Sequence, residues 1–183
     1  MPSISEYSIY ENEVILGSRV RLARWNNDAI AQAEFYAEIR KMKESTGEKL
    51  LRSACAGKIQ AVRALLYGAL KAKNSSYTIA KFEREFQHRR LPEYMVAVAE
   101  GAAMYLPSPS AAETEKEATT TINAAGEHFL SDFAAMGVRA LQMSRQQIAD
   151  SSPRCIYRMM LDLTDSEDEK KTGTIYADEI PWL

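Results

Sequence analysis

Cysteine, histidine and glycine motifs are what this chain lacks, and each absence removes a class of chemistry. Of 183 residues only two are Cys, Cys55 and Cys155, and neither has a Cys or His at metal-ligand spacing, so neither a disulfide framework nor a zinc site is supported. His88 and His128 stand 40 residues apart, without the companions that an acid–base or nucleophilic site needs. The eight glycines are scattered, with no G-x-G-x-x-G after a strand and no G-x-x-x-x-G-K, which argues against a phosphate cradle. No serine or cysteine sits in a nucleophile elbow. The chain is therefore expected to be no enzyme and to hold no cofactor or metal. No apolar run approaches the roughly 20 residues of a membrane span, and Met1 to Tyr10 has neither a basic nor an apolar leader region, which predicts a cytosolic protein without membrane partners. A net charge of −2 supplies no single-sign field for nucleic acid.

What is present is an uneven distribution of charge. Residues 1–105 hold 16 Lys/Arg against 12 Asp/Glu, a net of +4, whereas residues 106–183 hold 7 against 13, a net of −6. Between the halves, Pro107 to Thr121 is rich in Ser, Thr, Ala, Pro and Glu with no large apolar side chain, the composition of a flexible linker. This predicts an N-terminal unit over 1–106, a linker over 107–121, a small helical unit over 122–164 and an acidic, mobile tail over 165–183.

The predicted fold class is mainly α, with a small N-terminal β-hairpin or meander packed on helices. Tyr7 to Leu22 has short β-rich stretches broken at Glu11-Asn12 and Gly17-Ser18, with Val20 and Leu22 alternating with Arg19, Arg21 and Arg24 to give a wet, basic face. From Asp28 helical spacing takes over. Ile30, Ala33, Ala37, Ile39 and Met42 mark a helix ending near Thr46-Gly47 through a glycine cap, and Ile59, Val62, Leu66 and Ala69 with Leu65 and Leu70 mark a second. Thr78 caps a third, lined by Ile79, Phe82 and Phe86; Pro92 opens a fourth, with Met95, Val96, Ala99, Ala103 and Leu106 as its apolar face. Past the linker, Ile122, Ala125, Phe129, Phe133 and Met136 lead to Gly137 as a terminator. Ser144 with Gln147 forms a capping box flanked by Met143 and Ile148 as a hydrophobic staple. Ser152-Pro153 then starts a helix with Ile156, Met159, Met160 and Leu163 on one side. Glu83 with Glu85, two residues apart, read as solvated surface charges on different helix faces. His88 to Arg90, adjoining Lys81 and Arg84, is the densest basic patch; through it a regulatory protein- or DNA-binding module is the alternative function.

From Lys43 to Leu106 the chain resembles the tail assembly chaperones of long-tailed bacteriophages. Glu44, Ser45, Thr46 and Gly47 followed by Leu50-Leu51 match the family's acidic-x-x-Gly turn, and Leu65 to Lys71, reading Leu-Leu-Tyr-Gly-Ala-Leu-Lys, matches its central helical motif. Phe129 to Leu163 resembles the second small helical domain that a programmed frameshift appends in such phages, with Phe133 to Gly137, Leu141, Ser144 to Gln147 and Ser152-Pro153 in the expected order. The Trp usual near position 148 is missing; Ile148 stands there. The resemblance implies a non-catalytic chaperone in the host cytoplasm that coats the tape measure protein and recruits tail tube subunits, with self-association allowed. Candidate partner-binding residues are Leu66, Tyr67, Leu70, Val96 and Met104, each either core or client face, with Met159 and Met160 from an adaptable thioether surface and Trp182 as a terminal anchor.

Overall fold

The computed structural model describes residues 9–107 and 128–172, with side chains up to Leu163. Strands β1 (Tyr10–Leu16) and β2 (Arg19–Trp25) form an antiparallel hairpin in which Tyr10 faces Trp25 and Leu16 faces Arg19 across the Gly17-Ser18 turn. Gly17 adopts φ +61°, the left-handed backbone that glycine takes without a Cβ penalty. Val14, Leu16, Ala23 and Trp25 point inward, whereas Val20 and Leu22 are 59% and 42% exposed. The expected basic outer face is thus corrected by the register: Arg21 lies on the inner side, bonded to Glu85 at 2.7 and 2.9 Å with its guanidinium 5.0 Å from the Tyr77 ring centroid. Two strands cannot bury a core alone, and here helices cover them.

Those helices are α1 (Asn27–Ile39), α2 (Gly47–Cys55), α3 (Ile59–Lys73), α4 (Ile79–Glu85) and α5 (Leu91–Tyr105), with a 3-10 turn at His88–Arg90. The core is centred on α3, buried at Ala61, Val62 and continuously from Ala64 to Leu70. It packs against α1, β2, α2 and α5. Asn26 caps α1 by accepting from the Ala29 N–H at 2.9 Å, and Thr78 caps α4 through the Lys81 N–H. Tyr36, Tyr67, Phe82, Phe86 and Tyr94 form a chain of ring contacts with centroids 4.9–5.9 Å apart.

Three expectations are corrected. Helix α1 ends at Ile39, with Arg40 as cap and Lys41 at φ 50°; Gly47 opens α2 instead, its N–H donating to the Glu34 carboxylate at 2.6 Å. The α5 face is rotated: Tyr94, Ala97, Val98, Gly101, Ala102 and Tyr105 are buried, while Val96, Ala99 and Ala103 are exposed. Glu83 and Glu85 are not solvated surface charges. Glu83 receives the Tyr36 hydroxyl, Arg63 and Arg40, and Glu85 receives Arg21 and Tyr77. They do lie on different helix faces, and each face meets its own cluster of donors.

The second half contributes α6 (Phe129–Arg139), α7 (Arg145–Ala149) and α8 (Pro153–Thr172). Helical backbone continues through Thr172, past the expected start of the tail at 165; residues 108–127 of the expected linker and unit, and 173–183 of the tail, lie outside the described residues. Phe129 joins the core, and Leu130 packs beside Gly47. Asn27 is the clasp between the halves. Its backbone N–H donates to Ser151 O at 2.8 Å, its amide donates to Ile148 O at 2.7 Å, and its Oδ1 accepts from the Tyr105 hydroxyl at 2.7 Å. Arg154 donates to the Leu106 carbonyl at 2.9 Å and to Ala103 O, placing a cation at the C-terminal end of α5, where the helix dipole favours it. Asn27→Ala leaves the buried Tyr105 hydroxyl and the Ile148 carbonyl without this partner, a loss of about 1–3 kcal/mol. The expected result is faster hydrogen exchange for α7 and the first turns of α8, by roughly 5- to 150-fold, with α3 little changed. Uniform loss of protection would contradict the clasp.

Candidate partner-binding groove

The α6–α7–α8 segment is shaped by local chemistry. Gly137 lies inside α6, two residues short of its end, rather than terminating it; a Cβ there would meet Met143 Sδ at 3.3 Å and Ile156 Cδ1 at 3.5 Å. The turn after α6 passes through Gln142 at φ 52°. The capping box then forms in full: Ser144 Oγ accepts from the Gln147 N–H at 3.3 Å while Gln147 Oε1 accepts from the Ser144 N–H at 2.8 Å. Helix α7 has one and a half turns before Ser152 restarts the chain, its Oγ accepting from the Cys155 N–H at 3.2 Å, and Pro153 takes the first helical position of α8.

These turns leave a groove of about 780 Å³ between the α6–α7 connection and α8, with Ile9 also lining it. Leu141, Met143, Cys155, Met159 and Leu163 form its apolar surface, and Gln142, Gln146, Gln147, Asp150 and Asp162 its polar rim. Burial pushes the Cys155 thiol up, against a counteracting backbone hydrogen bond at Ser152, so the sulfur is a thiol rather than a nucleophilic thiolate at neutral pH. Two thioethers on opposite walls can repack around different apolar side chains, while the amides offer donors and acceptors around the edge. Such a surface has the chemistry that apolar side chains of another protein segment can fill.

The structure separates the candidate residues. Leu66, Tyr67 and Leu70 are at most 2% exposed, so of the two places open to them, core or client face, they occupy the core. Val96 and Met104 are exposed on α5, at 57% and 42%, and Met104 Sδ lies 3.5 Å from Arg154 Nη1. Met159 and Met160 are half-buried on α8; Met159 lines the groove and Met160 does not. Trp182 lies outside the described residues. The groove also recruits Leu141 and Met143. Met143 had a signal in the sequence, because the residue before an N-cap packs as one arm of the staple. In the basic patch His88 and Arg89 are exposed, but Arg90 pairs with Glu93 at 2.8 Å, and Phe82 and Phe86 are buried, leaving neither for base stacking.

Among the described residues, no group of three or more His, Cys, Asp or Glu could hold a metal ion, and no helix is long and apolar enough to cross a membrane. No family model, curated protein or solved structure matches the chain.

Proposed function

We propose that the chain is a non-catalytic tail assembly chaperone of a long-tailed bacteriophage, acting in the host cytoplasm. It binds the tape measure protein and helps to recruit tail tube subunits. The observation that supports this most is the open groove walled by Met143, in the turn before α7, and Met159, on α8, beside yet distinct from the α3-centred core. A long helical client exposes apolar stripes that aggregate before they are enclosed, and it is kept soluble by modules that offer shallow apolar surfaces and let go again. Val96 and Met104 are further exposed apolar side chains, on the N-terminal half. The resemblance of residues 43–106 and 129–163 to the two modules of these chaperones supplies the identity of the partners. Co-expression tests the reading: a tape measure protein that is insoluble alone is expected to move to the soluble fraction with this chain. If the client stays in the pellet at matched expression, the chaperone reading fails.

A further inference from the structure

We propose that the free edge of β2 is a docking site for an extended, acidic segment of a partner protein, which pairs with it as a third strand. Because Leu16 and Arg19 face each other across the Gly17-Ser18 turn, they are the closing hydrogen-bonded pair of the hairpin, and the ladder alternates from there. Arg21, Ala23 and Trp25 then exchange backbone bonds with β1, while the N–H and C=O groups of Val20, Leu22 and Arg24 point away from it. Among the described residues the sheet has two strands, and none of them takes up those groups. A cleft of about 400 Å³ borders this edge, lined on β2 by Val20, Arg21 and Leu22 and elsewhere by residues of the α3 C-terminal end and the loop after it, among them Leu70, Lys73 and Tyr77. Consecutive residues of a strand point to opposite faces, so a cleft that touches three in succession lies along the backbone edge rather than over one face. From Val20 to Arg24 the edge runs about 13 Å at 3.3 Å per residue, room for roughly five residues of a paired strand.

Side chains define the occupant. Val20 and Leu22 are exposed on the outer face, with exposed Ile15 opposite Val20 on β1, so the outward side chains of an added strand meet an apolar strip. The surroundings are cationic: Arg19, Arg21 and Arg24 on β2, Lys73 on α3, and Lys81, 5.6 Å from the Tyr77 ring centroid, stand against Glu11, Glu13 and Glu85. Glu85 neutralises Arg21, but Glu11 is shared between Arg24 and Lys73, and the exposed Arg19 has no ion pair among the described residues. A segment carrying carboxylates is therefore drawn to the edge. A second copy is not, because it would lay the same arginines against these, which is how charged edge strands resist pairing with themselves. Nucleic acid meets the charge but leaves the backbone ladder unpaired, whereas an extended peptide supplies both.

The test uses the full chain and fluorescent peptides of about seven residues, enough to span the edge. One alternates valine with glutamate, the second replaces each glutamate by lysine, and the third is the acidic peptide fully N-methylated, which keeps its charge but loses every backbone donor. The acidic peptide is expected to bind about five- to tenfold more tightly than the lysine peptide at low salt, with the gap closing as salt rises. N-methylation is expected to weaken binding by about tenfold or more. Amide exchange at Val20, Leu22 and Arg24 slows when the acidic peptide binds, and Arg19→Glu narrows the charge preference while the circular dichroism stays unchanged. Equal affinities, tighter binding of the lysine peptide, undiminished binding after N-methylation, or protection that appears away from β2 would overturn the proposal. A dimer that protects the same three amides without peptide would overturn it too, since the edge would then belong to a second copy. None of these outcomes involves the groove between the α6–α7 connection and α8, so edge pairing and client solubilisation stand or fall separately.

Discussion

Gly68→Ala is expected to destabilise the chain by more than about 4 kcal/mol in chemical denaturation, the range reserved for disrupted cores. The sign is informative, because in an unconstrained helix interior the same change stabilises by roughly 0.5–1 kcal/mol. Gly68 sits in the middle of α3 where α1 crosses it, and the facing residues are Ala29 and Ala33. A Cβ at this position would lie inside the Ala29 carbonyl oxygen and 2.8 Å from the Ala33 nitrogen. Both are backbone atoms of a neighbouring helix, so no rotamer change relieves the clash and α1 must separate from α3. That separation would open the ring contacts of Tyr36 with Tyr67 and Phe82. Gly101→Ala meets the indole of Trp25, which is 1% exposed and donates to Asn12 Oδ1 at 2.9 Å, so it too is strongly destabilising. Gly137→Ala is the control. Its nearest neighbours stand at 3.3–3.6 Å and are side chains that can give, so its effect stays small. Gly68→Ala as stable as the parent would refute the close approach of α1 and α3.

The same interlocking explains which parts of the fold were legible in the sequence. Local signals survived intact: the Thr78 cap, Pro92 in the first turn of α5, and the Ser144–Gln147 capping box are decided by residues within one turn of each other. The α3 stripe was legible because apolar residues there are dense enough to bury the helix on nearly every side. The inward face of α5 was not, since two stripes fit the helical period. The one containing Tyr94, Gly101 and Tyr105 wins because Gly101 admits Trp25 and the Tyr105 hydroxyl reaches Asn27, both partners more than 70 residues away. Gly47 looked like a helix stop but is the start of α2, fixed there by the carboxylate of Glu34 in the preceding helix. In the groove, Met159 was visible as part of a methionine pair, whereas its lining partners across the cleft come from the staple position and from the turn after α6. The burial of Leu66, Tyr67 and Leu70 had no local signal to separate it from a client face, because both demand the same apolar stripe.

Removing the charge at Glu83 is the other change with a large expected effect. Glu83→Gln keeps the shape but leaves Arg63 and Arg40 facing a neutral amide. Arg63 is 16% exposed and lies 4.7 Å over the Phe86 ring, so its charge is poorly hydrated. A fully buried pair broken in this way loses about 3–5 kcal/mol; with the Glu83 side chain 23% exposed, about 2–3 kcal/mol is expected at pH 7. The pH dependence identifies the cause. Burial by itself would raise the Glu83 carboxyl, but the Tyr36 hydroxyl and the guanidiniums of Arg40 and Arg63 outweigh it and hold the group below its ordinary value of 4.5. A depressed carboxylate stabilises the fold fully above the unfolded value and loses that contribution as pH falls through the folded one. Glu85, held down by Arg21 and Tyr77 against its own burial, acts with the same sign. Glu34 acts with the opposite sign: burial raises it, against the Gly47 N–H, so protonation favours the folded state as pH drops toward 4.5. Urea midpoints are therefore expected to hold or rise slightly from pH 7 to about 5 and to fall steeply below about 4.5. In Glu83→Gln the whole curve lies lower and its acid limb is shallower, because one of the protons taken up on acid unfolding is gone. A variant curve parallel to the parent through pH 3 would mean that Glu83 does not carry the charge balance among α1, α3 and α4.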